Sequence, residues 1–583
     1  MKNPRQEKIN TRTIILLFFL FLWLGVIVLR LVDLQVINHT KFKAKVLLQN
    51  HDVKAVYPQR GTIFDRSGII LARSLPRPSI FYYPPKDESL ESHREKINKL
   101  RRILGLSSKN LASIYSRIKN DKSFIWIKRK VEPEVADRVK ELNLSGIHFD
   151  DENKRFYPQG KRAAQLLGRV DIDDRGQSGI EYKYNTVLSG EEGKRLILRD
   201  AKHREYRFEI LKDPEPGKDL ILTIDETIQY IAEKELADAL RKTRALWGTV
   251  IISHPATGEI LAMASYPTYN LNALPANISR VERNRAIHHT FDPGSTFKIV
   301  TASAALENKS VRLHDVFDCT PGKIRIPGKT VWDHKKMGIL TFPDVIIYSS
   351  NVGTIQIGER IGKENMYTMI KDYGFGEKTG IDLPAEEKGI FRPIENWTDI
   401  SLYSLSIGYE ISITAVQMLQ AISTVANKGV VTSPRIVKKI LMSSGEQQDP
   451  PIQFRRVISE ETAQILSRIL QNVVLRGTGT EAQVDGYSIA GKTGTAQKFD
   501  PSIGRYSNKK HTASFVGFVP VENPVLAIVV VIDEPEGEFY GGDVAAPVFK
   551  EIASQTLRYL QVPKDEAFTK SMMTASVRSA DGR

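Results

Sequence analysis

Three serine–lysine pairs in this chain have the spacing S-x-x-K: Ser116/Lys119, Ser295/Lys298 and Ser507/Lys510. On a helix, residues three apart share a face with Cβ atoms roughly 5–6 Å apart, so an amine at the fourth position can reach the hydroxyl at the first. A lysine kept neutral by partial burial and nearby cations can then act as base for the serine. The bare pattern is weak, because a chain of 583 residues holds a few such matches by chance. Context separates them. Only Ser295 sits in D-P-G-S-T-F-K-I-V-T-A-S-A-A-L-E, where Pro293 and Gly294 make a turn and an Ala-rich helix is expected to begin at the serine. The N-terminus of that helix adds positive potential where an oxyanion develops. For the other two pairs the ordinary reading, a capping serine and a solvated lysine, is preferred.

Two further elements suit the same acyl-transfer chemistry. Ser349-Ser350-Asn351 follows the run P-D-V-I-I-Y. In it, Ser349 could relay a proton and Asn351 could bind a substrate amide. A second S-x-N, Ser108/Asn110, lies in a charged stretch and is read as noise. K-T-G occurs at Lys378, in a glycine-rich loop where a structural role is expected, and at Lys492-Thr493-Gly494, followed by Thr495. The second copy reads as a sheet-edge strand. Such a strand beside an active serine supplies a backbone N–H for the oxyanion and threonine hydroxyls for a substrate carboxylate. A glycine there lets a ligand lie flat against the backbone. The competing reading is an ordinary edge strand.

Residues 486–493 also satisfy G-x-x-x-x-G-K-[ST], the phosphate-loop pattern, and L-A-I-V-V-V-I-D-E (526–534) imitates its acidic partner strand. A phosphate loop needs a helix after G-K-[ST]. Here the chain continues G-T-A-Q-K-F-D-P-S-I-G, a poor helix. The strands 512–519 and 525–532 are separated only by P-V-E-N-P, so they must be antiparallel neighbours with no room for a crossover. The nucleotide reading is therefore set aside.

The elements that must hold these groups follow from pattern. W-G-T-V-I-I-S and E-I-L-A-M-A-S flank a turn, and a final helix spans A-A-P-V-F-K-E-I-A-S-Q-T-L-R-Y-L. Residues 240–562 thus read as a mixed α/β domain, an antiparallel sheet flanked by helices. Residues 40–225 read as an α+β scaffold: a strand–turn–strand at 60–72, Lys- and Glu-rich helices over 86–145, and a strand at 219–225 leading into a helix. The tail 563–583 is polar and expected to be disordered.

Residues 14–29 are wholly uncharged, and 13–32 just span a bilayer with Arg30 snorkelling. The uncharged core is long for a signal peptide and no A-x-A-like site follows, so an uncleaved anchor is expected after a head of residues 1–12. Lys2, Arg5, Lys8 and Arg12 before it balance Arg30, Lys41, Lys43 and Lys45 after it, so charge leaves its orientation open. The net charge of +15 suits a polyanionic partner, but it is spread along the chain, which disfavours nucleic acid. The single cysteine, Cys319, excludes an intrachain disulfide and a multi-cysteine metal site.

The ordered trio S-x-x-K, S-x-N, K-T-G is that of penicillin-binding proteins and class A β-lactamases. With R-G-T-I-F-D-R-S-G, R-F-Y-P-Q-G, G-I-E-Y-K-Y-N, T-G-E-I-L-A-M-A-S-Y-P, N-R-A and S-I-G-Y-E-I-S, the whole chain to about residue 562 resembles the class B, monofunctional penicillin-binding proteins. Asn351 is similar to the division-specific branch more than to the elongation branch. The resemblance implies a membrane-anchored peptidoglycan D,D-transpeptidase with its head inside and its bulk on the periplasmic or external side. Ser295 would attack between the two terminal D-alanines of a stem peptide, with Lys298 as base and Ser349 as relay. Lys492, Thr493 and Thr495 would bind the terminal carboxylate, and the N–H groups of Ser295 and Thr495 would form the oxyanion hole. No metal or cofactor is implied. β-Lactams would acylate Ser295, and residues 40–225 would be a dimerisation-type pedestal that meets a glycan polymerase and other division proteins. A β-lactamase or β-lactam sensor of the same fold, an elongation or sporulation enzyme, and a division scaffold with dispensable catalysis are the alternatives.

Overall fold

The computed structural model describes residues 4–39, 51–122, 124–199, 205–442, 445, 447–500, 502 and 504–565, so the expected tail lies mostly outside the described residues. The chain forms two compact units, residues 1–59 with 190–216 and residues 60–189 with 217–583.

The first unit contains a helix over Pro4–Val32, continued by a wider turn over Asp33–Ile37. Thr13–Ile37, whose most apolar 18-residue window has a mean hydropathy of 2.8, is, among the described residues, the one helix long and apolar enough to cross a membrane. The same unit holds a three-stranded sheet in the order His51–Val56, Gly193–Arg199, Glu205–Lys212.

In the second unit the strand–turn–strand expected near residue 65 is present. Ile63–Phe64 pairs antiparallel with the long strand Ile70–Tyr82. Ile63–Phe64 also pairs with Asp219–Leu222, which pairs in turn with Val437–Leu441. One sheet therefore crosses the boundary expected between residues 225 and 240. Three of the segments that carry the resemblance meet at one buried carboxylate. Arg60 Nε and Arg155 Nε stand 2.7 Å and 2.6 Å from the two oxygens of Glu181. The expected helices are Leu90–Leu104, Ser108–Lys119 and Pro133–Glu141, and they bury their apolar faces together.

The site-bearing elements follow in chain order: α1 (Glu226–Thr243), β1 (Trp247–Ser253), β2 (Ile260–Tyr266), α2 (Lys298–Glu307), α3 (Asn351–Ile361), α4 (Ala415–Ala426), α5 (Glu460–Arg476), β3 (Ala490–Asp500), β4 (Arg505–Val519), β5 (Leu526–Asp533) and α6 (Ala546–Tyr559). The five strands form an antiparallel sheet in the order β2-β1-β5-β4-β3. β5 is buried along its whole length because both faces of the sheet are covered. Ala527, Val529 and Val531 pack into the core that includes α4 and α5, while Leu526, Ile528, Val530 and Ile532 pack against α1 and α6. Alternation along a strand makes this division automatic. The edge position expected for K-T-G is observed, since β3 ends the sheet.

Candidate active site

The serine stands at a junction. A 3-10 turn over Gly294–Phe297 precedes α2, so the α-helix starts at Lys298 and not at Ser295 as the sequence suggested. Lys298 N donates to Ser295 O, which keeps the two residues on one face. Gly294 takes a φ of 52°, the left-handed region that glycine tolerates, and its N–H donates to Gly408 O at 3.0 Å. Thr301 Oγ1 donates to Ser406 O at 2.8 Å, so the S-I-G segment straps the serine turn.

Lys298 is fully buried, and the hydrogen bonds of its Nζ go to Ser349 and Asn351 rather than to Ser295. It donates to Ser349 O at 2.7 Å, Asn351 Oδ1 at 2.8 Å and Ser349 Oγ at 3.3 Å. Those contacts fill the three donors of an ammonium. Burial pushes Lys298 down to about 7, opposed by the charge of Asp333 and by Cys319. Lys492, also fully buried, reaches Ser349 Oγ at 2.9 Å. Burial, then the neighbouring Lys298, hold Lys492 well below the ordinary lysine value.

Ser349 has a φ of 59°, uncommon for a residue with a side chain and costing about 1–3 kcal/mol. It lies between a short helix, Phe342–Ile347, and Ser350, the N-cap of α3. Asn351 Nδ2 donates to Trp332 O at 2.9 Å, so both ends of its amide already have a partner in the chain. One N–H and one lone pair remain for a substrate.

On β3, Thr493 Oγ1 meets Thr478 Oγ1 at 2.7 Å, and Thr495 Oγ1 accepts from Gly541 N at 3.0 Å. A Cβ on Gly494 would overlap Ser514 Oγ and stand 2.7 Å from Thr296 Cγ2 and 3.1 Å from Pro293 O. The bareness of Gly494 therefore admits the close approach of the serine turn to the strand.

Sequence reasoning missed Asp333, Thr478 and Gly541. Each acts across a tertiary contact, and no local spacing marks it. The rejected matches are kept apart from this cluster. Ser116 and Lys119 are both exposed on Ser108–Lys119. Ser507 and Lys510 lie on β4, where Lys510 Nζ pairs with Asp500. Thr379, next to Lys378, donates to Glu386. Gly486–Gln497 is a turn running into β3, with no helix after Lys492-Thr493.

Residues 248–554 match the penicillin-binding protein transpeptidase domain, which is more than half of the chain, and residues 55–222 match the penicillin-binding protein dimerisation domain. The chain belongs to the penicillin-binding protein transpeptidase family. The two matched regions in this order make it a class B penicillin-binding protein, of the serine acyltransferase class. It is 32% identical to the peptidoglycan D,D-transpeptidase FtsI of Escherichia coli K12, over 100% of this chain and 98% of that protein. It is 33% identical to the probable peptidoglycan D,D-transpeptidase PenA of Neisseria gonorrhoeae, over 99% and 98%. It is 34% identical to the stage V sporulation protein D of Bacillus subtilis, over 87% and 79%. Among solved structures it is similar to penicillin-binding protein 3 of Mycobacterium tuberculosis in complex with aztreonam, at a TM-score of 0.68 and 28% identity, covering 88% of this chain and 98% of that one.

Proposed function

We propose that this class B penicillin-binding protein cross-links peptidoglycan through an acyl-enzyme on Ser295, in septal wall synthesis. The observation that carries this reading is the convergence of Lys298, Ser349, Asn351 and Lys492 beside the turn bearing Ser295. In the first step Ser295 Oγ bonds to the carbonyl carbon between the terminal D-alanines of a donor stem, and its proton passes to neutral Lys298. The C–N bond breaks and the departing D-alanine amine takes that proton. In the second step an amine of a neighbouring stem attacks the ester, its proton returns to the site, and Ser295 leaves as a free hydroxyl. The backbone N–H groups of Ser295 and Thr495 stabilise the oxyanion. Lys492, Thr493, Gly494 and Thr495 hold the donor carboxylate, and Asn351 holds the stem amide. A β-lactam imitates the donor and stops at the acyl-enzyme.

Residues 13–32 are the anchor and 1–12 the inner head. Residues 40–225 are the dimerisation-type pedestal toward a glycan polymerase and other division proteins, 240–562 the transpeptidase domain outside the membrane, and 563–583 the tail. The match to FtsI along the full chain and the asparagine of S-S-N favour the septum. The match to the sporulation protein favours a spore-wall role as the second reading. Incubation with a D-Ala-D-Ala stem and an acceptor amine should release D-alanine and form the cross-linked product in proportion. Neither product, from folded protein, contradicts the reading. A fluorescent fusion at mid-cell supports septal work, whereas signal confined to sporulating cells supports the second reading.

A further inference from the structure

Asp333, just past the strand that ends at Trp332, grips the start of α3 at several points. Asp333 Oδ1 accepts from Asn351 N at 2.5 Å and from Val352 N at 3.1 Å, and Asp333 Oδ2 accepts from Ser350 Oγ at 2.8 Å. Ser350 Oγ in turn accepts from Gly353 N at 3.0 Å. Three N–H groups that begin a helix are thus satisfied by one carboxylate and one hydroxyl, and a negative charge stands where the helix dipole favours it. Asp333 is itself pinned, since its N–H donates to Gly322 O at 3.0 Å, and Gly322 ends the turn before a hairpin of Lys323–Ile326 and Lys329–Trp332.

The residues fixed in this way are those that engage Lys298. Ser349 is held at its positive φ by a segment that cannot relax while Ser350 and Asn351 stay clamped. We propose that Asp333 is a positioning residue of the serine site: its carboxylate clamps the start of α3 so that Ser349 and Asn351 stay on Lys298, and it supplies the site's fixed negative charge. It touches no reacting atom. The charged and titratable groups that act on or around Lys298 are Asp333 and Cys319, Lys492 through Ser349, and His334, which burial lowers first and then Lys335 and Lys298. Asp333 is the acid of that set. Removing its charge makes the protonated form of Lys298 less favourable, so the base is freed at lower pH.

The inference rests on the reading of Ser295 as nucleophile and Lys298 as base. The test is the pH profile of the second-order acylation rate with a fluorescent penicillin, for the full chain and the variants Asp333→Asn and Asp333→Ala. Asp333→Asn keeps an acceptor oxygen for the N–H groups of Asn351 and Val352, loses the charge, and turns the acceptor facing Ser350 Oγ into an amide donor. Its acidic limb is expected to move toward acid by about one pH unit. Asp333→Ala loses the clamp as well, and its plateau is expected to fall roughly tenfold to a hundredfold through misplacement of Ser349 and Asn351. A limb that does not move in Asp333→Asn overturns the electrostatic part. A plateau in Asp333→Ala equal to that of the parent overturns the clamp. Failure of the underlying reading looks different, because Ser295→Ala would then label like the parent.

Discussion

Lys298 and Lys492 share one hydroxyl: Ser349 Oγ lies 3.3 Å from the first amine and 2.9 Å from the second. Both lysines are fully buried. Two ammonium charges in such a place repel each other at low effective dielectric, so at neutral pH at least one amine is uncharged. A hydroxyl accepts from a charged amine and donates to a neutral one. Ser349 Oγ therefore links the two amines, as the proposed relay role requires. The buried pair titrates jointly.

The acylation rate follows from this arrangement. Lysine works as base in its neutral form. With Lys298 brought down to about 7, that form predominates above pH 7 and is lost below it. Acylation of the parent protein should rise with pH and reach half its plateau near pH 7 in stopped-flow measurements. A half-rise near 10, the value of an ordinary lysine, would contradict burial as the activating cause.

Replacing Ser349 separates stability from activity. Ser349→Gly relieves the positive φ, so the melting temperature should hold or rise, with a gain of up to about 1 kcal/mol. The same change removes the hydroxyl between the two lysines, and acylation should fall by about 10²-fold. A variant that loses stability and keeps its acylation rate would reverse the assignment.

Gly494→Ala tests the packing of the serine turn on β3. The added methyl meets Ser514 Oγ, Thr296 Cγ2 and Pro293 O, and the turn must shift. A loss of about 1–3 kcal/mol in denaturant melts and slower acylation are expected together. Unchanged melts would show that the turn yields freely.

Glu181→Ala leaves the buried guanidiniums of Arg60 and Arg155 without their shared carboxylate. Breaking such a buried pair costs about 3–5 kcal/mol. Melting should drop accordingly, while the acylation rate of the molecules that remain folded should stay close to the parent's. A slowed rate at full stability would assign Glu181 to the serine site.

Much of this site was legible because its signals are short-range. Ser295 follows a Pro-Gly turn and precedes an Ala-rich run, and Lys492-Thr493-Gly494 sits in a strand pattern with no helix behind it. The two antiparallel strands that excluded a phosphate loop, β4 and β5, pair from Val519↔Leu526 to Thr512↔Asp533. The rest depends on contacts between distant segments. Asp333 reaches Asn351 across 18 residues, and nothing in W-D-H-K-K announces a helix cap. Lys298 was expected to face Ser295 by helical spacing. The structure adds what spacing could not show, that its amine bonds Ser349 and Asn351, more than 50 positions away. Gly494 was read as room for a ligand, and the structure adds that its bareness also admits Thr296 and Ser514.

The proposed chemistry turns on Ser295 as the nucleophile. The most direct measurement is labelling of the full chain by fluorescent penicillin, parent beside Ser295→Ala, with both shown to be folded by their melting curves. A covalent label is expected on the parent, mapped to the peptide that contains Ser295, and none on the variant. Undiminished label on Ser295→Ala would contradict that role.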